Sequence, residues 1–407
     1  MVRRLAILGG TTTWGDVRAA LRQLAVPGRL VEGPALPAYE RAFADRVGAA
    51  HAVAFAHGRV GLYGLLRALG IGEGDEVLVP VPTHIVVPNA VRYAGARPVY
   101  VDCRLNTYNT DLEEAGRSVG PRTRAILVQH TFGNPADLDA VFAFAERHGI
   151  EVVEDCVHAL GATYAGRPVG SFGRAAFFST EETKTISTTM GGVAVTDDGQ
   201  LAAALRAFQA GCAPPSRWLV GRYLLKLIGY HLLTQPHLHR LTRPLYELAG
   251  RRNPLPGPTT EVERTGRRPP DYEQRFSNAQ AVLGLRQLRR LEGNVAHRRR
   301  IARAYAAAGL KPPALPRRAD AALVRFPVWV SDREAAVRAL SARTVVGLWF
   351  TSVLEEAASP QHGGYEDGSC PNAEAAARHL INLPTHQRVR EADARALAEL
   401  VRAVDAG

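Results

Sequence analysis

The first half of the chain alternates short apolar runs with amphipathic stretches, and this alternation constrains the fold more than any other feature. The runs lie at residues 52–56, 76–80, 97–102, 124–129, 151–156, 175–179 and 191–196. Stretches such as LPAYERAFADRVGA and DLDAVFAFAERHG carry apolar residues at helical spacing. Strands that alternate with helices predict βαβ units, hence an α/β fold with a mostly parallel, mixed sheet.

The pattern changes after residue 210, in a chain of 407 residues that is long enough for more than one domain. Residues 211–270 are rich in proline and hold ten basic against three acidic side chains, which supplies most of the net charge of +11. A long helical stretch, the strand VRFPVWV and further helices follow. We predict a large domain at 1–255 with a basic, apolar insertion at about 211–270, and a small α+β domain at 256–407.

Composition indicates the class of protein and the cellular compartment. The chain is 46% apolar and 22% charged, which is typical of globular proteins and argues against disorder. Its four cysteines are far apart and form no CxxC pair, so neither a metal site nor a disulfide scaffold is expected. We find no secretory signal pattern and no uncharged apolar stretch of ~18 residues. These features indicate a cytoplasmic protein.

Lysine is rare here, which makes each lysine informative. The chain has 50 basic residues, but only Lys184, Lys226 and Lys311 are lysines. Lys184 follows the run AAFFS within STEETKTISTTMGG, whose small polar residues suit a tight loop with exposed N–H groups. Such a lysine could form an imine with pyridoxal phosphate, with Ser179 placed to bind the phosphate. A solvated surface lysine is the alternative interpretation.

Two further candidates follow the run EVVEDC. A buried carboxylate at a strand end, such as Asp155, is costly unless it is paired, and a pyridinium nitrogen would keep it ionised. His158 lies three residues further on, within reach of the ring hydroxyl of such a cofactor. Taken singly, Asp155 could instead be a capping residue, and His158 a satisfied polar residue.

Turn residues after two other runs complete the set. Gly58, Arg59 and Val60 lie where a strand passes into a helix, and a helix N-terminus with free N–H groups suits a phosphate. Arg59 would add a charge-assisted contact. His84 follows EVLVP, and its flat ring could stack on the cofactor. An ordinary turn and a loop histidine are the alternatives.

Taken together, these motifs resemble the sugar-aminotransferase family called DegT/DnrJ/EryC1/StrS, whose members have the aspartate-aminotransferase-like PLP-dependent transferase fold. The family's landmarks occur in order as LGIGEGDEVLVP, GARPVYVD, GNPADLDAV, VEDCVHALGATYAGRPVGSFG and SNAQAVLGLRQLRRL. The resemblance implies that Lys184 and Asp155 are catalytic, as the Schiff-base lysine and the partner of the pyridine nitrogen. It also implies cofactor binding by the residues Gly58, Arg59, Val60, His84, His158, Ser179 and Glu273.

The resemblance further implies a reaction and its partners. Pyridoxal phosphate would be the cofactor, held as an internal aldimine by Lys184, and the active sites would be shared in a homodimer. An amino-acid donor, glutamate by resemblance, would aminate a keto group of a nucleotide-linked sugar, cyclitol or related acceptor. Some relatives carry histidine in place of this lysine and dehydrate instead, so Lys184 favours transamination. Non-transaminating PLP chemistry and a non-catalytic binding or membrane-associated relative stay open as alternatives.

The sequence departs from the family near the cofactor. Arg59 replaces a small threonine, and Glu273 aligns with a phosphate-binding asparagine that the neighbouring subunit donates. We hypothesise that Arg59 supplies the phosphate charge and pairs with Glu273 across a dimer interface. Glu181 and Glu182 stand where the family is usually aromatic or proline. The substrate side of Lys184 is therefore expected to be remodelled.

The insertion combines apolar and aromatic residues with basic ones over residues 217–252. Such a segment could lie in a membrane interface or meet a lipid-linked substrate. The favoured alternative is a helical hairpin that packs on its own subunit or on a dimer partner. No nucleic-acid-binding module is recognisable, so nucleic acid is not an expected partner.

Overall fold

The structure is a computed structural model that describes residues 3–239, 241–242 and 259–405. Its strands are β1 (His51–Phe55), β2 (Glu76–Pro80), β3 (Thr83–His84), β4 (Arg97–Val101), β5 (Thr123–Gln129), β6 (Glu151–Asp155), β7 (Thr163–Tyr164), β8 (Arg167–Pro168), β9 (Ala175–Ser179), β10 (Gly192–Thr196), β11 (Ala319–Asp320), β12 (Arg325–Trp329), β13 (Leu354–Glu355) and β14 (Leu380–Pro384). Its α-helices are α1 (Trp14–Leu24), α2 (Ala35–Val47), α3 (Gly58–Ala68), α4 (Val86–Tyr93), α5 (Leu112–Ser118), α6 (Leu138–His148), α7 (Gly199–Gly211), α8 (Arg217–Leu233), α9 (Glu261–Arg264), α10 (Asn278–Leu288), α11 (Leu291–Ala307), α12 (Arg333–Leu340), α13 (Pro371–His379) and α14 (Glu391–Asp405).

All seven predicted strands join one sheet in the order β1-β10-β9-β6-β5-β2-β4. Strands β4, β2, β5, β6 and β9 run parallel, whereas β10 is antiparallel to both of its neighbours. Alternate side chains enter two cores, so that Ile126 faces α2 and α6 while Leu127 faces α3 and α4. A strand buried on both faces reads as a continuous apolar run. The predicted α/β fold with a mostly parallel, mixed sheet is confirmed.

A separate core lies towards the C-terminus. The antiparallel pair β12–β14 and helices α11, α12 and α14 bury a cluster that runs from Ile301 to Val401 and also takes in Leu5. The predicted domain boundary at 255/256 lies outside the described residues, and the division into two domains stays a prediction. The prediction of a single long helix after residue 276 was wrong. The chain leaves helical geometry at Arg290, because α10 packs on α2 and α11 packs on α14.

The described part of the insertion packs on its own chain. Helix α8 buries Val220, Leu224 and Leu227 against Val17 and Ala20 of α1. Among the described residues, no helix is both long and apolar enough to span a membrane. Four basic residues of the insertion lie outside the described residues, namely Arg240, Arg243, Arg251 and Arg252. For α8, the structure therefore favours the packing alternative.

Candidate active site

The carboxyl ends of the sheet strands open into one cleft with about 960 Å³ of empty volume. We name the side formed by Gly58, Asp155, His158, Ser179 and Lys184 the sheet wall. Asp155 and Ser179 end β6 and β9, while the other three residues follow β1, β6 or β9, and ligands of open α/β sheets bind at such strand ends. The structure thus brings together the predicted site residues from separate parts of the chain.

One end of the sheet wall suits an anion. A Cβ atom on Gly192 would lie 2.3 Å from the backbone nitrogen of Gly58, so the two backbones pack as only glycine allows. Gly58 begins α3, and the first N–H groups of a helix have no partner within it. Ser179 adds a hydroxyl, which accepts the N–H of Glu181 at 3.3 Å. These donors fit a phosphate group.

Asp155 fits the ring of the cofactor. Its side chain is buried, and one carboxylate oxygen accepts the N–H of Val157 at 3.1 Å. Burial raises the pKa of Asp155 to about 6, while the Val157 N–H and the charge of Lys184 oppose that rise. A cationic N–H facing this carboxylate would stabilise its ionised form. A pyridinium nitrogen provides such a group.

Lys184 is half-buried at the mouth of the loop between β9 and β10. Its Nζ atom lies 4.2 Å from the centroid of the Trp349 ring. Burial lowers the pKa of Lys184 to about 8, and the nearby carboxylates of Glu181 and Asp155 act in the opposite direction. A lysine with a pKa this low holds a neutral, nucleophilic fraction near neutral pH.

The two predicted histidines also line the cleft. The His158 ring stacks on Trp349 with centroids 4.5 Å apart, and burial lowers the pKa of His158 well below its usual value, so its ring is neutral. His84 lies in β3, with its Nε2 atom 3.6 Å from a carboxylate oxygen of Glu356. Stacking of His84 on a cofactor ring stays a prediction.

Sequence reasoning missed the opposite side of the cleft. We name it the loop wall, and it consists of Thr259, Trp349, Phe350 and Glu356. Strand β13 carries this segment to the site by pairing in parallel with β3, so that Glu355 opposes His84. The sequence carries only a weak signal for this wall, since VVGLWFTSVLEEA at residues 345–357 differs from the family's usual substrate stretch.

Two predicted cofactor contacts do not reach the cleft within this chain. Val60 is fully buried in the core between the sheet and α3, and its N–H donates to the carbonyl of His57 at 3.2 Å. Arg59 does line the cleft, but its Nε atom lies 2.6 Å from Glu263. Glu273 pairs instead with Arg268. Inside the chain the acidic partner of Arg59 is therefore Glu263, and the pairing across a dimer stays a prediction.

Glu181 and Glu182, which stand where the family is usually aromatic or proline, make different contacts. Glu182 forms an ion pair with Lys226 of α8 at 3.0 Å, which ties the insertion helix to the lysine loop. Burial and the neighbouring Glu181 raise the pKa of Glu182 to about 7. Glu181 accepts the N–H of Thr183 at 3.0 Å. Its carboxylate is also close enough to Lys184 to raise the pKa of that lysine.

A buried trio of His130, Glu154 and Cys156 could in principle ligate a metal. Glu154, however, already accepts a bond from His130 Nε2 at 3.1 Å and the backbone N–H groups of Gly170, Phe172 and Gly173. A carboxylate this saturated has little capacity left for an ion. We interpret the trio as the support that fixes the loop between β8 and β9.

Comparison with known proteins agrees with this geometry. A model of the DegT/DnrJ/EryC1/StrS aminotransferase family matches residues 14–232 and 248–402. GDP-perosamine synthase of Caulobacter vibrioides is 35% identical over 65% of this chain, a match that spans 58% of that protein. Spore coat polysaccharide biosynthesis protein SpsC of Bacillus subtilis is 31% identical over 93% of this chain and 92% of its own length.

Solved structures give the same answer. The crystal structure of S. venezuelae DesV in complex with a ketimine intermediate has a TM-score of 0.74 and 28% identity, covering 96% of this chain and 94% of that one. The aminotransferase TlmJ of Streptoalloteichus hindustanus has a TM-score of 0.75 and 27% identity over 100% and 99%.

Fold and cleft together define a PLP-dependent transferase of fold type I. The chain belongs to the DegT/DnrJ/EryC1/StrS aminotransferase family. The predictions of the family, of an aminotransferase and of pyridoxal phosphate as the family's cofactor are confirmed. The roles of the individual site residues stay predictions.

Proposed function

We propose that this protein transfers an amino group from an amino-acid donor, glutamate by family resemblance, to a keto group on a nucleotide-linked sugar, cyclitol or related acceptor. The observation that carries the proposal is the convergence of Lys184 and Asp155 in one cleft, each after a different strand. Relatives named for GDP-perosamine and for spore coat polysaccharide synthesis support a sugar acceptor.

Different residues of the cleft bind the cofactor and move the proton. Pyridoxal phosphate, when bound, supplies an aldehyde that carries the amino group and a ring that accepts electrons released from the donor's α-carbon. Asp155 holds the proton on the ring nitrogen. Gly58 and Ser179 bind the phosphate, with Arg59 beside them. Lys184 would hold the aldehyde until the donor's amino group replaces it, and the freed amine would then move the proton from the donor's α-carbon, first as a base and then as an acid.

The balance of the reaction fixes its products. The donor loses its amino group and leaves as a keto acid, and the acceptor's carbonyl becomes an amine. Lysine at position 184 favours this outcome over dehydration, which the resemblance associates with histidine. We also propose a homodimer with shared active sites, which the family resemblance supports.

The test is product analysis. The PLP-loaded protein is incubated with L-glutamate and a panel of nucleotide-linked keto sugars, and mass spectrometry follows 2-oxoglutarate and the aminated sugar. We expect both products in equal amounts. Lys184→Ala should lower turnover by at least about 10⁴-fold, because it removes both the binding amine and the proton carrier.

Lys311→Ala serves as the control, since that lysine lies outside the cleft. Formation of 2-oxoglutarate without any aminated acceptor would contradict the proposal. A dehydrated sugar would favour the non-transaminating alternative.

A further inference from the structure

Arg325 is a buried cation that lacks an anionic partner. It begins β12, and only 5% of its surface is exposed. Among the described residues, its guanidinium makes neither a hydrogen bond nor an ion pair. Arg298, another deeply buried arginine, differs, because it donates to Asn294, to the carbonyl of Val324 and to Thr385. A buried charge without a partner is costly, so its retention indicates a ligand.

An aromatic ring orients Arg325 next to the reactive lysine. The guanidinium carbon lies 3.4 Å from the centroid of the Trp349 ring, and Lys184 Nζ lies 4.2 Å from the same centroid. Asn382 fixes the backbone at the tryptophan, because its Oδ1 atom accepts the backbone N–H of Trp349 at 2.7 Å. A guanidinium stacked on a ring keeps its in-plane N–H groups available for a planar acceptor such as a carboxylate.

The charges around Arg325 leave its guanidinium available to bind an anion. Burial lowers the pKa of Arg325 to about 9, while Glu181 and Glu355 raise it from a distance without forming an ion pair. The charge of Arg325 also lowers the pKa of Lys184, and the charge of Arg298 lowers the pKa of Arg325, since these cations share the region. An incoming anion would relieve both the burial and the repulsion.

We propose that Arg325 binds a carboxylate of the amino-acid donor. The inference rests on the proposed function and names the residue that recognises the donor. Arg325 lines a narrow cleft with Thr183 and Lys184, and these last two residues also line the main cleft. A donor whose amino group reaches Lys184 can therefore extend its carboxylate towards Arg325. Every amino-acid donor carries a carboxylate beside its amino group, and a guanidinium fits that carboxylate, which favours the donor over the acceptor.

Equilibrium binding to the PLP-loaded protein tests this proposal without turnover. The probe is α-methyl-L-glutamate, which has no α-proton to lose, and calorimetry gives its Kd. We expect Arg325→Met to raise that Kd about ten- to a hundredfold, because a charged hydrogen-bond pair is lost. Arg325→Lys should fall between the wild type and Arg325→Met, since it keeps the charge but loses the fork.

Three comparisons make the result specific. Analogues of the probe that lack one carboxylate or the other should bind the wild type weakly, and one of them should bind Arg325→Met as well as it binds the wild type. Arg338→Met, which removes an exposed arginine with 68% of its side chain accessible, should leave every Kd unchanged. Borohydride labelling of Lys184 shows that each variant still holds its cofactor.

An unchanged Kd for α-methyl-L-glutamate in Arg325→Met and Arg325→Lys would overturn the proposal. Weaker binding of only a carboxylate-bearing sugar would assign Arg325 to the acceptor and would overturn it as well. If no keto sugar is aminated but Arg325→Met still weakens the probe, the acceptor class fails while the donor site stands.

Discussion

The two walls of the cleft differ in how the chain builds them. Each residue of the sheet wall lies within a few positions of the carboxyl end of a sheet strand, on the scaffold that forms the core. The loop wall comes from far along the chain, as the contact between Thr259 and His84 spans 175 residues. The sheet wall carries the chemistry that all substrates share. The loop wall faces the reacting groups and is free to differ between relatives.

This division predicts where substitutions act. Changes in the sheet wall should affect every substrate alike, because they alter how the cofactor is held and activated. Changes in residues that only neighbour the two walls, such as Glu263 and Glu181, should instead affect stability or the titration of Lys184. Substitutions at Asp155, Glu263 and Glu181 test that contrast, and their expected effects decrease in this order.

The largest effect is expected for Asp155→Asn. An amide cannot hold the proton on the ring nitrogen as a carboxylate does, so kcat should fall about 10²–10⁴-fold with every donor and acceptor. The measurement is kcat at matched cofactor content, determined from the absorbance of released pyridoxal phosphate. Asp139→Asn is the control, because that carboxylate is mostly exposed and remote from the cleft. A loss confined to one acceptor would remove the distinction between the walls.

The same contrast explains how much of the molecule the sequence could predict. All seven sheet strands and the residues that follow them were found, because periodicity and strand-end chemistry are local signals. Glu263 and Trp349 were missed, since no local pattern shows that Arg59 or Lys184 will contact them. The helix break at Arg290 was missed for a related reason, as tertiary packing overrides local helical propensity.

An intermediate effect is expected for Glu263→Gln. The Glu263 side chain is fully buried and lies 2.6 Å from Arg59, whose side chain is 10% exposed. This variant removes the charge of one member of a buried ion pair, so the free energy of unfolding should fall by about 3–5 kcal/mol. Chemical denaturation of the apoprotein measures it.

Two further variants sharpen this test. Glu261→Gln, on the same short helix but 83% exposed, should change the free energy of unfolding by less than about 0.5 kcal/mol. Arg59→Thr, which restores the family's residue, should also weaken the cofactor's affinity if Arg59 supplies charge to the phosphate. Unchanged affinity together with lowered stability would make the Arg59–Glu263 pair a purely structural contact.

The smallest effect concerns the titration of Lys184, where the two walls meet. Reaction with pyridoxal phosphate requires the neutral amine, so the rate of reconstitution of the apoprotein should rise with pH, with a midpoint of about 8. Glu181→Gln removes a carboxylate that stabilises the ammonium form, and the midpoint should therefore move to lower pH. Stopped-flow absorbance across this pH range measures both curves.

Glu113→Gln, an exposed helix substitution, should leave the midpoint in place. A midpoint near that of free lysine would show that the cleft does not desolvate the amine, and a shift to higher pH in Glu181→Gln would exclude this carboxylate as the group that supports its charge.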